Sequence, residues 1–235
     1  MVLLQKNHIE EYSKEYDLPP AIIDTVAKVE SAGSGYYLSA GLFLGELKVL
    51  FEGHYFHRLT KAIYAKKRPD LSYQVWTTKN YRKGQNEFQR FLEAFFIEKK
   101  KEDLDLIREV GERNGTFGDY LQVATMSKTQ DAALRSASWG KFQVMGENFS
   151  KCGYKSASEM IIDYYKGEDK QLAGFLNFCE NTKKGEYDLI QLLKLYIAGS
   201  RPALNSFVEK YNGKGQIVKY SAMIDNQYKK SKLLF

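Results

Sequence analysis

The chemistry of this sequence centres on one carboxyl. Glu30 follows the apolar run Ile22, Ile23, Val26, Ala27 and Val29 and precedes the flexible segment Ser31-Ala32-Gly33-Ser34-Gly35. A carboxyl set among hydrophobic neighbours loses hydration, which penalises its charged form and lifts its pKa. Such a group keeps a proton to hand to a leaving-group oxygen near neutral pH. The competing reading is a solvated glutamate at a helix end. A capping role is disfavoured, because the C-terminal end of a helix is the negative end of its dipole. Glu52, in Leu50-Phe51-Glu52-Gly53-His54, is the candidate second carboxylate. Glycosidases that use two carboxyls hold them roughly 5–5.5 Å apart for retention and about 6.5–9.5 Å apart for inversion. Glu52 reads equally well as a brace acting through His54. His54 and His57 are three apart, but no third ligand stands at a recognisable spacing, so neither a metal nor another cofactor is expected.

Two further elements have residue types suited to holding a ligand. In Ser138-Trp139-Gly140-Lys141-Phe142-Gln143-Val144-Met145, small residues allow close backbone approach. Gln143 can hydrogen-bond a sugar amide or hydroxyl, and Trp139 offers a flat face to a sugar ring. The alternative is a core tryptophan beside a turn. Tyr211-Asn212-Gly213 is on its own an ordinary turn signal.

The surrounding pattern is mainly helical. Residues 8–16 place apolar groups at helical spacing, and Pro19-Pro20 opens the helix that carries Glu30. Tyr36–Leu44 and Lys48–Glu52 read as extended segments, and a helix is expected from about His54 to Tyr64. Glu87 to about Lys101 is strongly amphipathic, with Phe88, Phe91, Leu92, Phe95 and Phe96 on one side. A helix near 102–113 gives way to a loop or hairpin before Thr129, and helix resumes weakly at Gln130–Ser136. Further helices are expected near 156–166, 168–181, 186–198, 201–211 and 217–231. The fold class is therefore mainly α (α+β), one helical domain over 1–235 with a small extended patch.

Composition narrows the functional classes. Hydrophobic residues at 43% supply a substantial core, and charged residues at 27% favour solubility. With no run of 18 apolar residues, a membrane-spanning helix and stable membrane insertion are not expected. The N-terminus lacks the pattern of a secretory signal, so synthesis in the cytoplasm with delivery by other means is the expectation. Cys152 and Cys179 read as buried free thiols rather than a disulfide framework. The net charge of +6 suits polyanionic partners in general. Nucleic acid is not the expected partner, since the lysines are spread out and mixed with acids rather than gathered on one face.

Taken in order, these motifs resemble those of the goose-type lysozymes and soluble lytic transglycosylases. They are more similar still to the N-acetylmuramidase family of phage endolysins. The resemblance rests on Val29-Glu30-Ser31, Lys48 to His54, Ala132 to Ser136, Ala137-Ser138-Trp139-Gly140, Gln143-Val144-Met145-Gly146 and Tyr211-Asn212-Gly213, and it covers about residues 8–230. It implies a lysozyme-like helical fold and cleavage of the β-1,4 bond between N-acetylmuramic acid and N-acetylglucosamine, with Glu30 as catalytic acid and no metal. Ser138, Gln143 and Tyr211 match positions that line the glycan cleft, and Trp139, Asn212 and His54 join them as candidate glycan contacts. The implied partner is a peptidoglycan strand, met after release or export and engaged by a monomer. Residues about 99–128 look like an insertion, and there is no obvious room for a separate wall-binding domain. Hydrolysis, lytic transglycosylation to 1,6-anhydro products and glycan binding without turnover all stay open at this point.

Overall fold

The computed structural model describes residues 2–37, 46–75, 87–98 and 100–235. Helix α1 (Lys6–Tyr16) ends at Asp17, whose φ of 49° reverses the chain toward Pro19-Pro20. With its ring already fixing φ, Pro20 opens α2 (Pro20–Ser31), which buries Ala21, Ile22, Ile23, Thr25, Val26 and Ala27. Ala32 closes α2 in the left-handed region, its N–H donating to Lys28 O.

The extended patch is a three-stranded antiparallel sheet in the order β1 (Val49–Phe51), β2 (Ala137–Trp139), β3 (Val144–Met145). Leu50 faces Ser138, and Ser138 faces Met145. The expected Tyr36–Leu44 segment lies mostly outside the described residues; Tyr36 itself bridges to Leu47. Helix α3 (Gly53–Leu59) is shorter than expected. The Thr60 hydroxyl donates back to Phe56 O, and Lys61 and Ala62 take φ of 51° and 62°, which no helix can continue.

The amphipathic helix expected from Glu87 to about Lys101 is shorter, α4 (Glu87–Phe95), and the helix expected near 102–113 is α5 (Lys101–Glu112). Where a loop or hairpin was expected, α6 (Phe117–Val123) forms. Thr116 and Asp119 cap it reciprocally, and Phe117 and Tyr120 are drawn fully into the core. Ser127 and Gln130 do the same for α7 (Lys128–Arg135). Then follow α8 (Ala157–Lys166) and α9 (Glu168–Glu180). A small hairpin, β4 (Lys183–Lys184) and β5 (Tyr187–Asp188), turns at Gly185 and delays the helix expected from 186; α10 (Leu189–Ile197) starts only after Asp188, which caps it. Helices α11 (Arg201–Asn212) and α12 (Ile217–Ser231) complete the order.

Helix α12 packs along α2, and α11 packs against α10 and α12. The far side of the core is aromatic: Phe91, Phe95, Phe117 and Tyr120 meet edge to face or stacked, and Phe91 abuts Trp139 at 4.8 Å. Both cysteines are free and buried. Among the described residues no helix is long and apolar enough to cross a membrane, and none forms a cluster able to hold a metal ion.

Candidate active site

Glu30 sits in the last turn of α2, half-buried beside α11 and α12. Asn212, the last residue of α11, donates from Nδ2 to Glu30 Oε1 at 2.9 Å. Burial is the main influence on the carboxyl and lifts it from an ordinary 4.5 to about 7, while the Asn212 hydrogen bond opposes the rise. Charged and titratable groups approach from three sides. Tyr211 of α11 and Tyr220 of α12 both have phenols raised by burial and then by the Glu30 charge. Lys48, just before β1, donates from Nζ to Ser31 O. A buried acceptor, Asn212 Oδ1, has no hydrogen-bond partner. An amide turned over would offer that oxygen to a protonated carboxyl, so Asn212 can serve Glu30 in either protonation state.

Replacing Asn212 with Asp makes the first prediction. The substitution removes the donor and sets a second carboxylate beside Glu30; both changes disfavour ionisation of Glu30. The descending limb of the pH–activity profile, near pH 7 for the wild type, is expected to move to higher pH. An unmoved limb would show that residue 212 does not act on the proton donor.

The remaining sequence-derived residues divide into those gathered near Glu30 and those held elsewhere. Tyr211 stacks on Phe207 and donates its hydroxyl to Phe142 O, so its polar end is spent on the turn between β2 and β3. Ser138 Oγ donates to Gln143 Oε1 at 3.0 Å, and Gln143 Nε2 donates to Gly140 O at 2.8 Å and Lys48 O at 3.4 Å. Gln143 itself holds φ of 52°. Ser138 and Gln143 thus tie the hairpin that lies beside the end of α2.

Trp139 requires a correction. It is fully buried, its indole N–H donates to Leu134 O and Phe91 covers its edge, so it offers no face to a sugar. Adjacent glycine allows close packing as readily as ligand approach. Glu52 also differs from expectation. It lies 3.4 Å from His54 Nδ1, and its backbone N–H bonds Ser136 O. The pKa of Glu30 is set by burial and Asn212, with nothing from Glu52. The brace reading of Glu52 and His54 fits this geometry. Burial, and then Arg58, depress the His54 pKa and favour its neutral form.

Several supporting residues had no role in the sequence reading. Among the described residues Tyr220 makes no side-chain hydrogen bond, and Lys48, Lys141, Glu168 and Gln171 hold the backbone behind the acid. Lys48 and Lys141 stood inside the quoted motifs, but a lysine in a motif carries no signal that it is buried. A cavity of about 1020 Å³ between α4, α5 and the turn after α3 includes none of these residues.

The architecture is a mainly α, lysozyme-like fold with one desolvated acid at the end of a buried helix. It is similar to the crystal structure of Burkholderia AP3 phage endolysin, with a TM-score of 0.64 and 21% identity over 98% of this chain and 71% of that one. The N-acetylmuramidase family model matches residues 19–102 and 111–232, and the chain belongs to that family. The two matched stretches are separated by residues 103–110 of α5. No curated protein matched the sequence. Membership makes the protein a peptidoglycan-lytic enzyme whose substrate is the bacterial cell wall.

Proposed function

We propose that the protein cleaves the β-1,4 bond between N-acetylmuramic acid and N-acetylglucosamine, with Glu30 as the general acid. The observation that carries this reading is a half-buried carboxyl, anchored by Asn212, that burial lifts to about 7. Such a group is largely protonated just below neutrality and ionises once its proton has gone to the glycosidic oxygen. In hydrolysis, the bond between the anomeric carbon and the protonated glycosidic oxygen breaks, the second sugar leaves as the alcohol, a water oxygen bonds the anomeric carbon, and the water proton restores the Glu30 carboxyl. Lys48, Ser138 and Gln143 shape the wall behind the acid, and Tyr220 supplies an aromatic, hydroxyl-bearing surface beside it.

A second reading is favoured by the Glu30 carboxyl taking its shift from burial and Asn212, with no contribution from Glu52. Without a partner carboxylate, the 6-hydroxyl of the muramic sugar can attack in place of water, and the product carries a 1,6-anhydro end. Mass spectrometry of digested peptidoglycan separates the two. A reducing muramic end supports hydrolysis, a 1,6-anhydro end supports transglycosylation, and intact glycan strands would reject both in favour of binding without turnover.

A further inference from the structure

Behind Glu30, the turn that ends α2 is gripped from outside by side chains distant in sequence. Glu168, at the start of α9, accepts from Gly35 N at 2.6 Å and from Leu4 N at 2.8 Å. Lys141, in the β2–β3 turn, donates from Nζ to Glu168 at 2.9 Å and to Gly33 O at 2.6 Å. Gln171 accepts from Lys141 N at 2.7 Å and donates to Tyr164 O at 3.0 Å, which fixes the segment that carries the lysine. Lys48 adds its contact to Ser31 O, and its backbone bonds Gly35 O and Gly140 N. The carbonyls of residues 31, 33 and 35 are thereby all engaged.

The side chains of Lys141 and Glu168 are 9% and 2% exposed. A buried ion pair gives little net stability, because desolvation consumes most of the attraction, and apolar replacement of both partners is often neutral or stabilising. Stability is therefore a poor reason for this pair. Its geometry supplies a better one, since both partners bond the backbone that immediately follows the acid.

We propose that the Lys141–Glu168 pair is a positioning element for Glu30: it fixes the 31–35 turn and so holds the acid against the Asn212 amide. The kinetic consequence rests on Glu30 being the proton donor; the positioning itself does not. With the turn loosened, water reaches the carboxyl and relieves the desolvation that keeps it protonated. Tyr211, Tyr220 and Asn212 also face Glu30, and Lys48, which bonds Ser31 O, feels the charges of both Lys141 and Glu168.

The test replaces both partners together, Lys141→Met with Glu168→Leu, so that no charge is left buried alone. Glu30 is followed by ¹³C NMR of its labelled carboxyl, assigned by loss of the signal in Glu30→Gln. The expected result is a folded protein with a somewhat lower melting temperature, because Gly35 N and Leu4 N lose their acceptor, and with the Glu30 midpoint falling from about 7 toward 4.5. On peptidoglycan, kcat is expected to fall on the order of 10²-fold with KM unchanged, the cost of a small misplacement of a reacting group. If the double variant does not fold, Glu168→Gln takes its place with the same readouts. It keeps an acceptor for Gly35 while removing the charge that holds Lys141. An unmoved midpoint in the folded variant overturns the proposal. Absence of glycan cleavage by the wild type would instead overturn the reading of Glu30 as proton donor, and the NMR midpoint would still decide the positioning role.

Discussion

Glu30→Gln is expected to lower turnover of peptidoglycan by about 10²–10⁴-fold, the usual contribution of a general acid. The amide keeps the acceptor for Asn212 Nδ2 but has no proton to give. The same variant should be more stable than the wild type at alkaline pH, and the sign follows from linkage. The folded protein holds the Glu30 proton up to about 7, whereas the unfolded chain releases it near 4.5. The folded state thus binds more protons across that interval, and stability falls as pH rises through it. At about 1.4 kcal/mol per pKa unit, the cost above neutrality is at most on the order of 3 kcal/mol. Glutamine does not titrate and escapes that cost. Melting curves should therefore place Glu30→Gln above the wild type near pH 8 and level with it near pH 4, assay conditions set by those two midpoints. A variant that is less stable at both pH values while inactive would point to misfolding rather than to a missing proton.

Trp139→Ala is expected to destabilise the fold by about 3–5 kcal/mol, the range for deleting a large buried ring. In a chain of this size that corresponds to a drop of roughly 6–20 °C in melting temperature. The indole fills the space between β2 and α4, meets Phe91 edge to face and satisfies Leu134 O. Its removal leaves a void and a buried carbonyl without its donor. Glycan affinity of the folded fraction should be unchanged, because no part of the ring reaches solvent. Denaturant titration and a binding isotherm on the same sample check both halves. Weakened binding with unaltered stability would restore the sugar platform.

These two residues show what was legible in the sequence and what was not. Glu30 was readable because an apolar helix with a proline start and a glycine-rich end fixes both its depth and its place in the last turn. Asn212 was readable as a turn residue and, through the resemblance, as a candidate glycan contact; its hydrogen bond to Glu30 crosses 182 positions, and no local pattern encodes that. Trp139 was misread because a tryptophan followed by glycine looks alike in a cleft and in a core. Helix α6 was passed over although Thr116 and Asp119 spell a reciprocal cap, since the glycines at 115 and 118 outweighed it. Gly118 has a packing reason, as a Cβ there would stand 2.7 Å from the Tyr165 ring. Lys141 and Glu168 were invisible for a different reason. Charged residues are assigned to the surface by default, and only the folded chain shows which of them went inside.

The two cysteines have a consequence for how the molecule meets oxidants. Neither sulfur reaches the surface, and burial raises the Cys152 thiol to about 12 and that of Cys179 well beyond its usual value. Thiolate is the species that exchanges with disulfides and reacts with oxidants. With thiolate suppressed at both positions and both side chains buried, the folded chain is a slow target for oxidants and for disulfide exchange.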